Sequence, residues 1–263
     1  MTKQQLENLK KWFYGYVATF YGSDELTNEN IKLKEDHTRR MCADTQIIAE
    51  ELGYNDEQKL IAETISLLHD TGRFEQYKRY HTYNDVGTEN HSLLGLKILT
   101  DNKILNGIVI SEREIIETAI RLHGEKDLPT GLSGQVEPFA KLIRDIDKLD
   151  IYKVMIDRVN DLRNNPKKCS SVFGYPATDG CSVHVVKAVL QGRTISYSEF
   201  KSLNDVILGL IGWIFDINFA ATLKEIKKRG LIEKLLYYLP DTEDIRKVKT
   251  HILGQLEKRT DAN

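Results

Sequence analysis

The chain has 263 residues, 41% hydrophobic and 29% charged, with 5 Pro and no low-complexity tract, which is enough to bury a core and excludes a disordered chain. A formal charge of -2 and a pI near 6.4 provide no global field for nucleic acid or an anionic membrane, so any attraction for phosphate must be local. The first residues show no basic stretch leading into an apolar run, no apolar stretch approaches the roughly 20 residues of a membrane span, and Cys42, Cys169 and Cys181 form no CxxC pair. We therefore expect a cytoplasmic protein with reduced thiols.

Hydrophobic spacing is helical almost throughout, which predicts an all-α bundle. The first predicted helix spans about 3 to 20, with Leu6, Leu9, Phe13, Tyr16, Val17 and Phe20 on one stripe, and stops at Tyr21-Gly22-Ser23-Asp24. The aromatic part of that stripe, Trp12, Phe13, Tyr16 and Phe20, reads as core packing. A second helix, about 28 to 52, carries Ile31, Met41, Ile47 and Ile48 and closes at Gly53. Asp56 is expected to cap a third, in which Leu60, Ile61, Ile65, Leu67 and Leu68 run into His69-Asp70.

Residues 73 to 88, rich in Arg, Lys, Tyr and His, read as a loop. Helical spacing resumes from 90 to 100, opened by His91. Ser111 is expected to cap the next helix, whose Ile115, Ile116, Ala119, Ile120 and Leu122 end at His123-Gly124. One long helix follows at about 136 to 162 and contains Arg144-Asp145-Ile146-Asp147-Lys148-Leu149-Asp150. Residues 163 to 195 hold Asn164-Asn165-Pro166, Gly174-Tyr175-Pro176, Asp179-Gly180 and Gly192 and are expected to be the loosest part, with room for a short hairpin or lid. Helices are expected at 197 to 211, 213 to 229 and 241 to 258.

Of seven histidines, His37, His69, His91 and His123 fall on or at the ends of buried or amphipathic helices. A single histidine on an apolar face is usually a satisfied core residue. Four of them beside aspartates would each cost desolvation free energy unless paired or metal-bound, and neutral imidazole with carboxylate suits divalent transition metals.

The segments LKEDHTRRMCADTQIIAEELG, ETISLLHDTGRFEQYKRYHTYND, ENHSLLGLKIL, AIRLHG and IRDIDKLDIY resemble, in order, the motif series of HD-domain phosphohydrolases over about 30 to 155. The HDxGRFEQ stretch resembles the HDIG-type subgroup, with Thr71 where isoleucine is common. The resemblance implies an α-helical fold with one or two divalent metal ions (Mn, Fe, Ni, Co, Mg or Zn) and hydrolysis of phosphate esters, often of nucleotides. Carried over by position, His37, His69, Asp70 and a late aspartate would hold one metal, and Asp70 would bridge to a second held by His91 and His123. Two such ions, roughly 3.5 to 4 Å apart, would activate water and stabilise the attacking and leaving oxygens of an in-line displacement.

The family's Ala-Asp-x-Leu element aligns best with Ile146-Asp147-Lys148-Leu149, which favours Asp147; Asp145, nearly on the opposite helix face, is the weaker candidate. Asp150 reads either as a residue orienting a ligand or as an exposed carboxylate. The chain departs from the family at Gly124, where many binuclear members have a second histidine, and at Arg73, where some have a lysine beside the phosphate. Arg73 can hold phosphate bidentately or be a structurally paired guanidinium. His81 could contact phosphate or belong to a solvated basic loop. Lys148 reads as a surface lysine, and His184 and His251 lack companion motifs. Tyr77, Tyr80 and Tyr83 could stack a base.

The expectation is one all-α domain over 1–263, with an HD core at about 28–160, a loop or lid at 163–195 and peripheral C-terminal helices at 196–263. It would be a phosphomonoesterase or phosphodiesterase acting on a small phosphorylated metabolite, foremost a nucleotide, with Asp70 and Arg73 in catalysis and Arg73 and His81 on the substrate. The competing expectation is a regulatory module that keeps the metal and binds nucleotide with little turnover. Neither a nucleic-acid polymer nor a membrane is expected as partner, and the oligomeric state is left open.

Overall fold

A computed structural model describes residues 1–164, 171–172, 174–176 and 178–261. The protein is all-α, as its periodicity predicts, and it gathers into two compact units, Met1–Asp147 and Lys148–Asn263. The boundary falls inside one continuous helix. Among the described residues no helix is long and apolar enough to cross a membrane.

The first unit contains α1 (Lys3–Ala18), α2 (Glu25–Glu51), α3 (Asp56–Leu68), α4 (Thr71–Tyr80), α5 (His91–Asp101), α6 (Ile110–Leu122) and the start of α7 (Glu137–Asn164). Helix α2 packs on α3, α4 on α5, and α3 on α6. Leu6, Leu9, Phe13 and Val17 put the apolar stripe of α1 inside, as their three- and four-residue spacing requires. Of the aromatic stripe only Phe13 is core, while Trp12, Tyr16 and Phe20 are half-buried, Trp12 stacked on Tyr16; the rings of Phe13, Tyr16 and Phe20 surround Phe74, with centroids 5.8, 6.3 and 5.9 Å from it.

Three local expectations are corrected. Residues 71 to 80 are helix rather than loop, because Phe74 and Tyr77, three apart, are buried among polar neighbours; two apolar anchors in a charged stretch are too few to show a period. The cap of α3 is Asn55, not Asp56: Asn55 Oδ1 accepts from Gln58 N and Gln58 Oε1 from Asn55 N, both at 2.9 Å, a reciprocal pair that leaves Asp56 and Glu57 to favour the helix dipole. Ser111 lies within α6, whose N-cap is Val109 with no side-chain hydrogen bond.

The second unit continues α7 and adds an antiparallel hairpin of β1 (Ser171–Val172) and β2 (Tyr175–Pro176), paired Ser171 with Pro176 and Val172 with Tyr175. It then forms α8 (Val183–Leu190), α9 (Leu203–Gly212), α10 (Ala220–Lys228), α11 (Leu231–Tyr238) and α12 (Glu243–Asp261), with 3₁₀ turns at Tyr197–Glu199 and Trp213–Asp216. Every residue of α9 is buried, which places it at the centre of a core with Tyr152, Val185, Ile232, Leu235 and Val248.

The hairpin matches the expectation for 163 to 195, but that stretch also holds helix α8; Asn165, Pro166 and Cys169 lie outside the described residues. The three helices expected after 196 are more broken. Ser202 restarts the chain by accepting from Asp205 N at 3.2 Å, and Gly230, at φ 61°, turns sharply into α11. Helix α11 has only two turns and exists through burial of Leu231, Ile232, Leu235 and Leu236 rather than through length.

Candidate metal centre

The first unit carries the cluster. His37 is in the middle of α2, His69 is the C-cap of α3 and is followed by Asp70, His91 opens α5, and His123 is the C-cap of α6. All are buried, His69 and His123 because the apolar helices that deliver them end inside the unit; Leu67 and Leu68, just before His69, are 1% and 0% exposed. Glycine brings the two halves together. A Cβ on Gly72 would lie 2.1 Å from the His91 carbonyl oxygen and 2.6 Å from Gly95 N, so only glycine permits the contact that seats His69-Asp70 beside His91.

Asp70 is the centre of the arrangement. Its Oδ2 faces His69 Nε2 at 3.5 Å and His37 Nε2 at 3.7 Å, while its Oδ1 faces His91 Nε2 at 3.5 Å and His123 Nε2 at 3.8 Å. The carboxylate thus joins two groups whose ligand atoms converge, His37-His69-Asp70 and Asp70-His91-His123. Asp147 stands beside the first group, with Oδ1 3.3 Å from His37 Nε2. Asp145, fully buried, is in neither group.

The far side of each imidazole determines what the near side offers. His69 Nδ1 donates to Ser66 O at 2.8 Å and His123 Nδ1 to Ile120 O at 2.7 Å; a carbonyl can only accept, so both Nδ1 atoms carry the proton. His91 Nδ1 donates to Asp85 Oδ2 at 2.7 Å. In the neutral rings all three Nε2 atoms therefore present lone pairs toward Asp70. His69 Nε2 is buried with no hydrogen-bond partner, and the Nε2 atoms of His91 and His123 face each other at 2.9 Å.

Burial lowers the His91 pKa to about 4, overcoming Asp85, and it lowers that of His69 as well, so these two rings keep their Nε2 lone pairs at neutral pH. Burial would raise Asp70, yet Lys34 and His69 hold it well below the ordinary carboxylate range. An electron-rich pocket of imidazole nitrogens around an ionised carboxylate fits a divalent cation.

Residues 35–153 match the model of the HD domain family. All six proposed ligands of the HD segment, His37, His69, Asp70, His91, His123 and Asp147, fall within it. No curated protein and no solved structure matches the chain. The HD family is one of metal-dependent phosphohydrolases, and the two converging groups could hold its ions.

Other residues of the HD segment are placed as follows. Arg73 Nη1 donates to Gln76 Oε1, Tyr83 O and Asp85 Oδ1 at 2.8, 2.6 and 2.7 Å, with Nε 3.5 Å from Asp70 Oδ1, so its guanidinium is tied to the loop after α4. His81 is exposed at the end of α4, in a left-handed conformation with φ 51°. Gly124 gives the His91 ring its room: a Cβ there would be 3.2 Å from His91 Cε1. Tyr77 is buried and packs against Tyr83, centroids 4.9 Å apart, so these faces serve the fold. In the second unit, Lys148 is buried and pairs with Asp216 at 2.9 Å rather than lying at the surface, and Asp150 is buried rather than exposed.

Two residues of the site escaped sequence reasoning. Asp85 sits in a loop six residues before His91, where no period marks it. Lys34, whose Nζ is 2.7 Å from Asp70 Oδ2, lies three residues before His37; the shared helix face was its signal, and an ordinary helix lysine is read as solvated.

Proposed function

We propose that this chain is a metal-dependent phosphohydrolase of the HDIG-like kind, cleaving a phosphate ester of a small phosphorylated metabolite. The observation that carries the proposal is the set of Nε2 lone pairs of His69, His91 and His123 turned onto the ionised Asp70, each ring held by a partner at Nδ1. His37, His69, Asp70 and Asp147 would hold one ion, and Asp70, His91 and His123 a second. Divalent ions held there would supply acidification of water and charge stabilisation at the phosphoryl oxygens.

The residues of the chain account for the rest. Asp70 gives one oxygen to each group, which keeps the two halves in register. Ser66 O, Ile120 O and Asp85 keep the imidazoles in the tautomer that binds metal. Arg73, anchored by Asp85, stands beside Asp70 as positive charge at the site, and His81 is the more distant candidate for substrate contact. Nucleotides are the first class to test on the strength of the family resemblance, and the substrate is taken to be a small molecule rather than a polymer.

The test is metal analysis of the purified protein, followed by assay against nucleotides and general phosphomonoesters and diesters with Mn, Fe, Ni, Co, Mg and Zn in turn. We expect bound metal, turnover with at least one ion, and loss of both in Asp70→Asn. Absence of turnover with every ion would overturn the enzymatic reading.

A further inference from the structure

Lys34 lies one residue before the segment that matches the family. Its ammonium is 2.7 Å from Asp70 Oδ2, the same oxygen that faces His37 and His69. It also lies 5.5 Å from the centroid of the Tyr83 ring, and the side chain keeps 19% exposure. The other nearby cation, Arg73, is matched by Asp85 at 2.7 Å. Asp70 and Asp147 bring two carboxylates to the His37 side of the site, and Lys34 brings one positive charge to them.

We propose that Lys34 is the resident counter-ion of Asp70, that a divalent ion must displace it to load the centre, and that the displaced ammonium then receives an oxygen of the substrate phosphate. This rests on the metal-centre reading above. An ammonium and a divalent ion compete for one carboxylate oxygen, and their repulsion is weakly screened in a poorly solvated site. Lysine suits such an exchange: its charge is compact, its stem flexible, and its donors rotate freely.

Partial exposure leaves Lys34 a way out, and the Tyr83 face offers the ammonium a second resting place. The charge balance gives the second half of the proposal. One divalent ion neutralises Asp70 and Asp147 together, so the charge on Lys34 is left for an incoming anion. Arg73 is less free to answer, since its Nη1 is held by Gln76, Tyr83 and Asp85.

The test uses Mn²⁺ and inorganic phosphate as probes, by calorimetry on chelator-treated wild-type protein, Lys34→Met and Lys34→Arg. We expect Lys34→Met to bind Mn²⁺ on the order of tenfold more tightly, and the Mn²⁺-loaded variant to bind phosphate on the order of tenfold more weakly. Lys34→Arg should stay near wild type in both. A lysine that served only folding would not move the two affinities in opposite directions.

Amine labelling of the wild-type protein, read by mass spectrometry, provides a measurement independent of any variant's folding: Mn²⁺ should raise the labelling rate of Lys34 several-fold. Unchanged Mn²⁺ affinity in Lys34→Met, undiminished phosphate binding, or Lys34 labelling indifferent to Mn²⁺ would each overturn the proposal while leaving the metal centre standing. Absence of Mn²⁺ binding in all three proteins would overturn the metal-centre reading, and this inference with it.

Discussion

Asp85 and His91 form a carboxylate–imidazole pair in which Nδ1 donates to Oδ2 at 2.7 Å, while the other oxygen, Oδ1, takes Arg73 Nη1 at 2.7 Å and Gln76 Nε2 at 2.8 Å. One carboxylate therefore sets the tautomer of His91 and anchors the neighbouring guanidinium. Burial would raise its pKa, but the hydrogen bond from His91 and the charge of Arg73 keep it well below the ordinary range, so it remains an acceptor at neutral pH.

Asp85→Asn retains an acceptor oxygen and loses the charge. Metal affinity should fall about 10- to 100-fold with helix content unchanged, as calorimetry and circular dichroism would show. Undiminished affinity would mean that His91 needs no orienting partner.

Gly72 is required by space, since its added Cβ would meet backbone atoms of α5 that no rotamer change can move. Gly72→Ala should destabilise the protein by about 3 kcal/mol or more and weaken metal binding by separating Asp70 from His91. Urea unfolding is the measurement, and a loss under about 1 kcal/mol would contradict the close packing of α4 on α5.

The two late aspartates separate cleanly. Asp147→Asn removes the charged partner of His37 and should weaken metal binding at least tenfold. Asp145→Asn should leave the affinity within about twofold and show its effect in stability, because the residue is fully buried. Equal losses of affinity in both variants would refute the assignment.

Acid sensitivity should come in part from the second unit. Glu225, buried on α10, accepts from Lys228 Nζ at 2.7 Å and Arg229 Nε at 3.0 Å. Burial pushes its carboxyl up, and these two donors outweigh it, holding the pKa below its ordinary 4.5. A lowered folded pKa means that the stabilisation is present above pH 4.5 and lost as pH falls through the folded value. Glu225→Gln should cost about 1 kcal/mol at pH 7, modest because Lys228 is solvent-screened. The gap to wild type should close as pH falls below 4.5 in denaturant titrations; a gap independent of pH would exclude the ion pair as its source.

Much of the candidate site is legible in the sequence. Strings such as Ile65, Leu67, Leu68 before His69 and Ile116, Ala119, Ile120 before His123 mark helices that must be buried, and a histidine at the end of a buried helix is carried inside. Helix α4 was less legible, because Phe74 reveals itself as core only once Phe13, Tyr16 and Phe20 surround it. Helix α11 was hidden for a similar reason: eight residues show too little period, and burial supplies what length does not.

The sequence by itself determined the all-α class and the order of the four buried histidines, since helical spacing is written within a few residues, whereas the need for glycine at position 72 appears only once α5 packs against it. The tertiary structure alone decided which nitrogen of each imidazole carries its proton, that Asp85 stands behind His91, and that Lys34 sits on Asp70. These depend on groups brought together across loops and between helices, where a hydrogen-bond acceptor or a charge acts through distance in space and leaves no period along the chain.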